Sequence, residues 1–502
     1  MTIINSIAVW VMKKRLHQIE LFMKYPYDVQ QEVFLRLLQQ SKDTQFGIQH
    51  DFKNITTYLD FKNRVPLNDY ESLKINIDKI RKGEQNILWS SDIKWFAKSS
   101  GTTSDKSKFL PVSIESLEEC HYKGGKDMVS LYCANIENAQ LFTGKSLSLG
   151  GSHDIFQFEN HESYYGDVSA IIMENLPLWA EFLRAPNLQI ALMSEWESKL
   201  DMMAKNTLSE NVTSLAGVPS WMMILLGRLL NLSKKENIKE LWPNLEVYFH
   251  GGVNFTPYKA QFKNILGNDV NYMETFTASE GFFGIQNDLS SDDLLLMLDY
   301  GIYYEFIPQY ENESKEPINL ESVNTETNYA IVISTNAGLW RYQLGDTIKF
   351  TSLNPYKFKI TGRTKYFINA FGEELIAENA DKALLVACEK TNSIITEYTV
   401  APVFFDNKEN GAHQWLIEFT KEPESLEYFT EILDNALKSS NSDYEAKRYG
   451  NFVLKAPIII KAKENVFYNW LKSKNKLGGQ FKVPRLANHR QHMEELLAIQ
   501  HA

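Results

Sequence analysis

The chain has 502 residues, 44% of them apolar and 23% charged, enough for two or three globular cores and too apolar for global disorder. Its formal charge of −11 argues against a nucleic-acid binder working through a general basic field, but leaves room for an anionic ligand held by local cations. Cys120, Cys133 and Cys388 fit neither a disulfide framework nor a zinc site, so a reducing cytoplasm is expected. No apolar run reaches the ~18 residues of a membrane-spanning helix. The apolar run 7–12 precedes its basic residues, the reverse of a secretory signal, so neither export nor membrane insertion is expected.

Residues 1–50 read as helical, with Val29, Val33, Phe34, Leu37 and Leu38 at helical spacing. Two short helices follow over 51–92, punctuated by Pro66 and Gly83. The runs 93–97 and 109–113 read as strands, 114–135 as helix and 146–151 as strand. Residues 176–235 read as mainly helical, broken at Pro177, Pro186 and Pro219. The period then changes. A buried strand at 245–249 ends in His250-Gly251-Gly252, a helix covers 258–266, and a strand at 270–277 ends in Ala278-Ser279-Glu280-Gly281. This is the βαβ rhythm of an α/β layer, whose ligands sit at the carboxyl ends of strands. Short strands over 294–361 predict a small β-barrel or sandwich. Mixed helices and strands follow, with a domain boundary at about 362–368. The expectation is an α/β N-terminal domain over 1–364, with the barrel-like part at 294–361, and a smaller α+β C-terminal domain over 365–502.

Two decoys fall away. Gly144-Lys145-Ser146 lacks the upstream glycine of a Walker loop, since Ala139 stands there. His489 and His492 have no acidic third ligand nearby in sequence and read as a surface pair.

Five stretches carry chemistry. In the first, Ser99, Ser100, Thr102 and Thr103 surround Gly101, with Lys98, Lys106 and Lys108 alongside. Hydroxyls and backbone N–H groups beside ammonium groups suit a chain of phosphates, and the same composition also makes a hairpin tip. In the second, Tyr272 to Gly281, Glu280 stands at a strand end where a carboxylate can hold a hard cation. Alternatively Tyr272 and Phe276 are core and Glu280 caps a following helix. The Gly251-Gly252 turn before it lets backbone approach a base closely. The third is Gly345-Asp346, either a carboxylate for two ribose hydroxyls or an ordinary turn. The fourth is Gly362-Arg363-Thr364-Lys365. The fifth, Gly478 to Arg485, carries Lys482, either a mobile point charge or part of a solvated basic tail with Lys472, Lys474 and Lys476.

In order and separation these stretches resemble the adenylate-forming enzymes, and within them the Gretchen Hagen-type, auxin-responsive acyl acid amido synthetases and their bacterial relatives. The resemblance runs from Thr44-Gln45-Phe46-Gly47 to Lys482-Val483-Pro484-Arg485. It implies the adenylate-forming fold with a mobile C-terminal domain, and it implies ATP and Mg²⁺. It places the β- and γ-phosphates on Ser99, Ser100, Thr102 and Thr103. It places the nucleotide's base at Gly252, Val253, Tyr272, Phe276, Thr277, Ala278 and Ser279, the metal on Glu280, ribose on Asp346, and ribose or phosphate on Arg363. Lys365 falls at the hinge and Lys482 becomes the catalytic lysine. Lys382 is either a second active-site lysine or helix surface. The acyl pocket draws on Val218, Trp221 and Met222, although helical methionines and leucines also make core.

The implied reaction joins a small carboxylic acid to an amine, an amino acid, through an acyl-adenylate. No nucleic acid, membrane or stable protein partner is implied. A coenzyme A or carrier-thiol ligase, and a non-catalytic nucleotide-binding scaffold, stand as alternatives.

Overall fold

The computed structural model describes residues 3–99, 108–158, 161–176, 178–252, 255, 258–309, 316–363, 367–368, 370–371, 373, 375–404, 411–448, 454–477, 482–487 and 489–501. The N-terminal helices form where the caps predict. Thr57 with Asp60 and Asp69 with Ser72 make capping boxes, and Pro26 opens the helix Pro26–Ser41 at a position where its missing N–H costs nothing.

Strands β1 (Trp95–Ser99) and β2 (Lys108–Val112) pair antiparallel, Ala97 opposite Leu110. They flank the hydroxyl-rich stretch. Strand β3 (Lys145–Leu149) joins the main sheet. A hairpin of β4 (His153–Phe158) and β5 (His161–Gly166), unforeseen in the sequence, completes a four-stranded sheet in the order β2-β1-β5-β4. After the short β6 (Arg184–Ala185) come β7 (Val212–Gly217), β8 (Val247–Gly251) and β9 (Asn271–Ala278), which with β3 and β6 form the parallel half of a 12-stranded sheet.

Strand β7 corrects the helical expectation for 176–235. Val212, Thr213, Ser214 and Leu215 are all buried. A strand covered on both faces shows no alternation, so periodicity alone does not distinguish it from helix.

The antiparallel half comprises β10 (Gly281–Ile285), β11 (Leu294–Leu296), β12 (Ile302–Pro308), β13 (Ile318–Asn319), β14 (Asn328–Thr335), β15 (Tyr342–Leu353) and β16 (Tyr356–Arg363). The stretch expected as a small barrel or sandwich is therefore continuous with the main sheet. Its β11 pairs with β10 on one side and β16 on the other, and the ladders among the described residues run from edge to edge without closing.

The C-terminal part carries β17 (Phe367–Ile368) paired with β18 (Leu375–Ile376), then a three-stranded sheet of β19 (Ile394–Phe404), β20 (Gly411–Lys421) and β21 (Ile458–Ala462). Helices Ala377–Thr391 and Leu426–Ser440 cover it around Leu384, Trp415, Phe429 and Leu433. A second core joins the two parts. Phe467, Trp470 and Val483 pack with Trp221, Met222 and Phe255. Trp221 contacts Trp196 edge-on at 4.7 Å between ring centres and Tyr468 at 6.3 Å.

Candidate active site

A cleft of about 1660 Å³ opens between the two parts, where the parallel half of the sheet gives way to the antiparallel half. Its floor is the carboxyl ends of β8 and β9. Gly251 finishes β8, and Gly252 follows it with φ +80, a conformation glycine adopts without steric cost. Tyr272, Phe276, Thr277, Ala278, Ser279 and Glu280 all line the cleft. Ser279 and Glu280 form the turn between β9 and the antiparallel β10, Ala278 facing Gly281, so Glu280 does not cap a following helix. Phe276 has both proposed characters. Its ring packs 5.1 Å from Phe283, and it also lines the cleft. The Tyr272 ring lies 5.3 Å from that of Phe255.

Asp346, only 5% exposed, lines the cleft from β15. Its register partner across β15–β16 is Arg363. Ser100, Thr102, Thr103, Val253 and Lys365 lie outside the described residues, as do the side chains of Ser99 and Arg363.

The flank beside β1 and β2 is cationic and aromatic. Lys98 and Lys108 line it. So does Arg81 from the helix Tyr70–Arg81, whose guanidinium stands 3.9 Å over the Phe109 ring. Tyr70 accepts a hydrogen bond from the Phe109 N–H at 3.0 Å. Sequence reasoning missed Arg81 and Tyr70. Their helix was legible, but which of its side chains reaches Phe109 on β2 depends on distant packing.

An apolar end is formed by Leu149, Ala216, Val218, Trp221, Met223 and Ile224. Met222 is fully buried in the core instead, with Leu225, Leu226 and Leu229. Positions 222, 225, 226 and 229 form one helical stripe, and Met223 lies off it. At this end Lys199 is buried and donates to the carbonyls of Gly150 at 2.6 Å and Gly151 at 2.7 Å. Burial lowers its ammonium pKa to about 8.

The C-terminal part closes the cleft with Lys382, Glu397, Glu418, Lys482 and Arg485. Lys382 is 63% exposed and ion-paired with Glu378. Lys482 reaches across the cleft. Its Nζ stands 3.4 Å from the point a Cβ on Gly252 would occupy. Arg341, in the same motif as Asp346, does not enter the cleft. It is buried in a pairing with Glu305 and donates to the carbonyls of Lys62 and Val65.

Burial sets the protonation of several groups. It raises the carboxyl of Glu274 on β9 to about 7, with Asp292 adding to the shift. It lowers the His250 imidazole to about 3, so that ring, stacked 3.9 Å from Phe255, is neutral. Among the described residues no three side chains cluster as a ready-made metal site. A single carboxylate such as Glu280 still fits Mg²⁺, which takes most of its oxygens from phosphates and water.

A cationic flank, glycine and carboxylate groups at strand ends, an apolar pocket and a lysine from a second domain define the cleft of an adenylate-forming fold. A 2-hydroxyisobutyryl-CoA ligase in its postadenylation state superposes with a TM-score of 0.61 at 13% identity, over 94% of this chain and 92% of that one. The chain belongs to the GH3 family: that family's N-terminal domain matches residues 15–271, its central domain 295–363 and its C-terminal domain 378–491. The GH3.15 acyl acid amido synthetase superposes with a TM-score of 0.80 at 18% identity, over 97% of this chain and 96% of that one. Indole-3-acetic acid-amido synthetase GH3.4 of Arabidopsis thaliana is 24% identical, over 94% of this chain and 91% of its own length.

Proposed function

We propose that the protein is an ATP-dependent ligase that activates a small carboxylic acid as its acyl-adenylate and transfers the acyl group to an amine, an amino acid, with release of AMP and pyrophosphate. The carrying observation is the cleft itself. It sets the apolar end beside the strand-end turn of Gly252, with a cationic flank in the same lining and Lys482 reaching over the turn. The amido synthetases among its relatives support the same reading.

A carboxylate oxygen attacks the α-phosphorus, and the bond from that phosphorus to pyrophosphate breaks. The amine nitrogen then attacks the acyl carbon, the bond to AMP breaks, and the ammonium proton is lost. In-line displacement needs positioning and charge neutralisation more than covalent help. The hydroxyl loop with Lys98, Lys108 and Arg81 would hold the phosphates. The β8 and β9 ends would seat the base, with Asp346 and Arg363 at the ribose. Glu280 would hold Mg²⁺, which neutralises phosphate charge. Lys482 would neutralise charge at the reacting centre as a mobile ammonium. Lys382 would serve from the rim, and Val218 and Trp221 would bound the acid.

The domains divide at about 364, with Lys365 at the hinge. No helix among the described residues is long and apolar enough to cross a membrane, and the site of action we assign is the cytoplasm. Acid-dependent ATP–pyrophosphate exchange, followed by mass detection of an amino-acid-dependent amide, tests the function. Exchange with no acid across a broad panel, despite ATP binding, overturns it. Hydroxylamine trapping without any amide product overturns the amine acceptor in favour of a thiol.

A further inference from the structure

The segment that carries Lys482 is tied down immediately after it. Pro484 accepts a hydrogen bond from Thr399 Oγ1 at 2.5 Å. Val400 N–H donates to Arg485 O at 2.9 Å, and Ala487 N–H donates to Val400 O at 3.1 Å. Residues 485–487 thus run alongside β19, held by an isolated parallel bridge between Val400 and Leu486.

The Arg485 guanidinium then reaches into the cleft wall, where both domains meet it. Its Nη2 lies 3.3 Å from Glu397 and donates to the Tyr258 hydroxyl at 3.4 Å. Its Nη1 lies 3.7 Å from Asp381, and its plane sits 4.5 Å from the Tyr398 ring centre. Tyr398 in turn donates to Asp381 at 2.7 Å. Glu397, Asp381 and Tyr398 belong to the C-terminal part. Tyr258 belongs to the N-terminal part and precedes the helix Lys259–Leu266. A forked guanidinium can bond several partners in fixed directions, which a lysine cannot reproduce.

We propose that Arg485 is a positioning residue. By clamping its own segment to Glu397 and Asp381, and through Tyr258 to the far wall, it sets the reach of Lys482 toward Gly252. The proposal rests on Lys482 acting in the ligase reaction, but part of its test does not.

The independent arm is hydrogen exchange by mass spectrometry on the full chain. In Arg485→Met and in Glu397→Gln, peptides covering 482–487 should exchange at least 5-fold faster than in the wild type, while peptides of β8 and β14 stay unchanged. Unchanged exchange at 482–487 overturns the clamp, whatever the reaction proves to be. The kinetic arm is a double-mutant cycle in pyrophosphate exchange. Arg485→Met should lower kcat at least 10-fold with KM for ATP within 3-fold, Arg485→Lys should restore little of it, and Tyr258→Phe should give a smaller loss of the same kind. In the Lys482→Ala background, Arg485→Met should cost less than 3-fold more. If the two losses multiply instead, Arg485 does not act through Lys482 and the assignment fails. If the wild type exchanges with no acid, the ligase reading falls and the clamp is judged on hydrogen exchange alone.

Discussion

Lys482 and Gly252 meet across the cleft, the lysine Nζ standing 3.4 Å from where a Cβ on the glycine would be. One belongs to the C-terminal tail and the other to the end of a buried parallel strand. Gly252 also holds φ +80, so an added methyl group is strained, and it would touch the lysine Nζ at van der Waals distance. Gly252→Ala should therefore cost about 1 kcal/mol of stability and lower pyrophosphate exchange at least ~10-fold. Thermal unfolding and exchange kinetics on the same sample check both effects.

Lys482→Ala should lower kcat for adenylation by ~10²-fold with little change in Tm, because the side chain is exposed and the role proposed for it is charge neutralisation. Glu280→Gln should raise the Mg²⁺ concentration for half-maximal activity by about 10-fold, since the proposed cation site would lose its anionic oxygen. Metal titrations of the two variants separate these effects. Exchange that survives both substitutions unchanged sinks the site assignment.

Arg341 and Glu305 form a buried pair, 3% and 1% exposed. Removing one partner leaves an uncompensated buried charge. Arg341→Met should destabilise by about 3–5 kcal/mol, whereas replacing both partners with apolar residues should recover most of the loss. Denaturant unfolding of the single and double variants measures this.

The Glu418 carboxyl is raised to about 7 by burial, opposed by the Asn465 N–H bond at 2.8 Å and reinforced by Glu397. A carboxyl that holds its proton more tightly when folded stabilises the fold fully below its ordinary value of 4.5. Between there and 7 the unfolded chain loses the proton first, and stability falls by at most about 1.4 kcal/mol per pH unit. Glu418→Gln should flatten the stability profile between pH 5 and 7, as read from denaturant midpoints across that range.

Two adjacent methionines should separate pocket from core. Met223→Trp should raise KM for bulky acids at least ~10-fold while sparing small ones, because it fills the apolar end of the cleft. Met222→Ala should cost about 2–5 kcal/mol of stability and leave acid preference unchanged. An acid panel with each variant, paired with unfolding data, tells the two apart.

What could be read in the sequence was mostly local. The strand, glycine turn, helix and strand over 245–281 announced themselves through apolar runs and punctuation, and the resemblance singled out Gly252, Glu280, Asp346 and Lys482. The structure brings these four to one cleft. The methionine exchange was legible in principle, since the stripe of 222, 225, 226 and 229 marks the buried face. Strand β7 was not, because a strand buried on both faces carries no periodic signal. Arg81 over Phe109, Lys199 on the Gly150 and Gly151 carbonyls, and Arg485 among Glu397, Asp381 and Tyr258 depend on segments far apart in the chain. No spacing rule reports such meetings.

With the hinge proposed at Lys365, the shared rung of Asp346 and Arg363 lies beside the fulcrum. The chain leaves the main sheet just past this rung, so a rotation about that hinge would begin at the seat proposed for the sugar. Points beside a fulcrum travel little, whereas Lys482, carried by the C-terminal part, would move with the turn. A nucleotide held at that rung would stay in place while the tool above it is exchanged, and the second reaction would inherit the substrate alignment of the first.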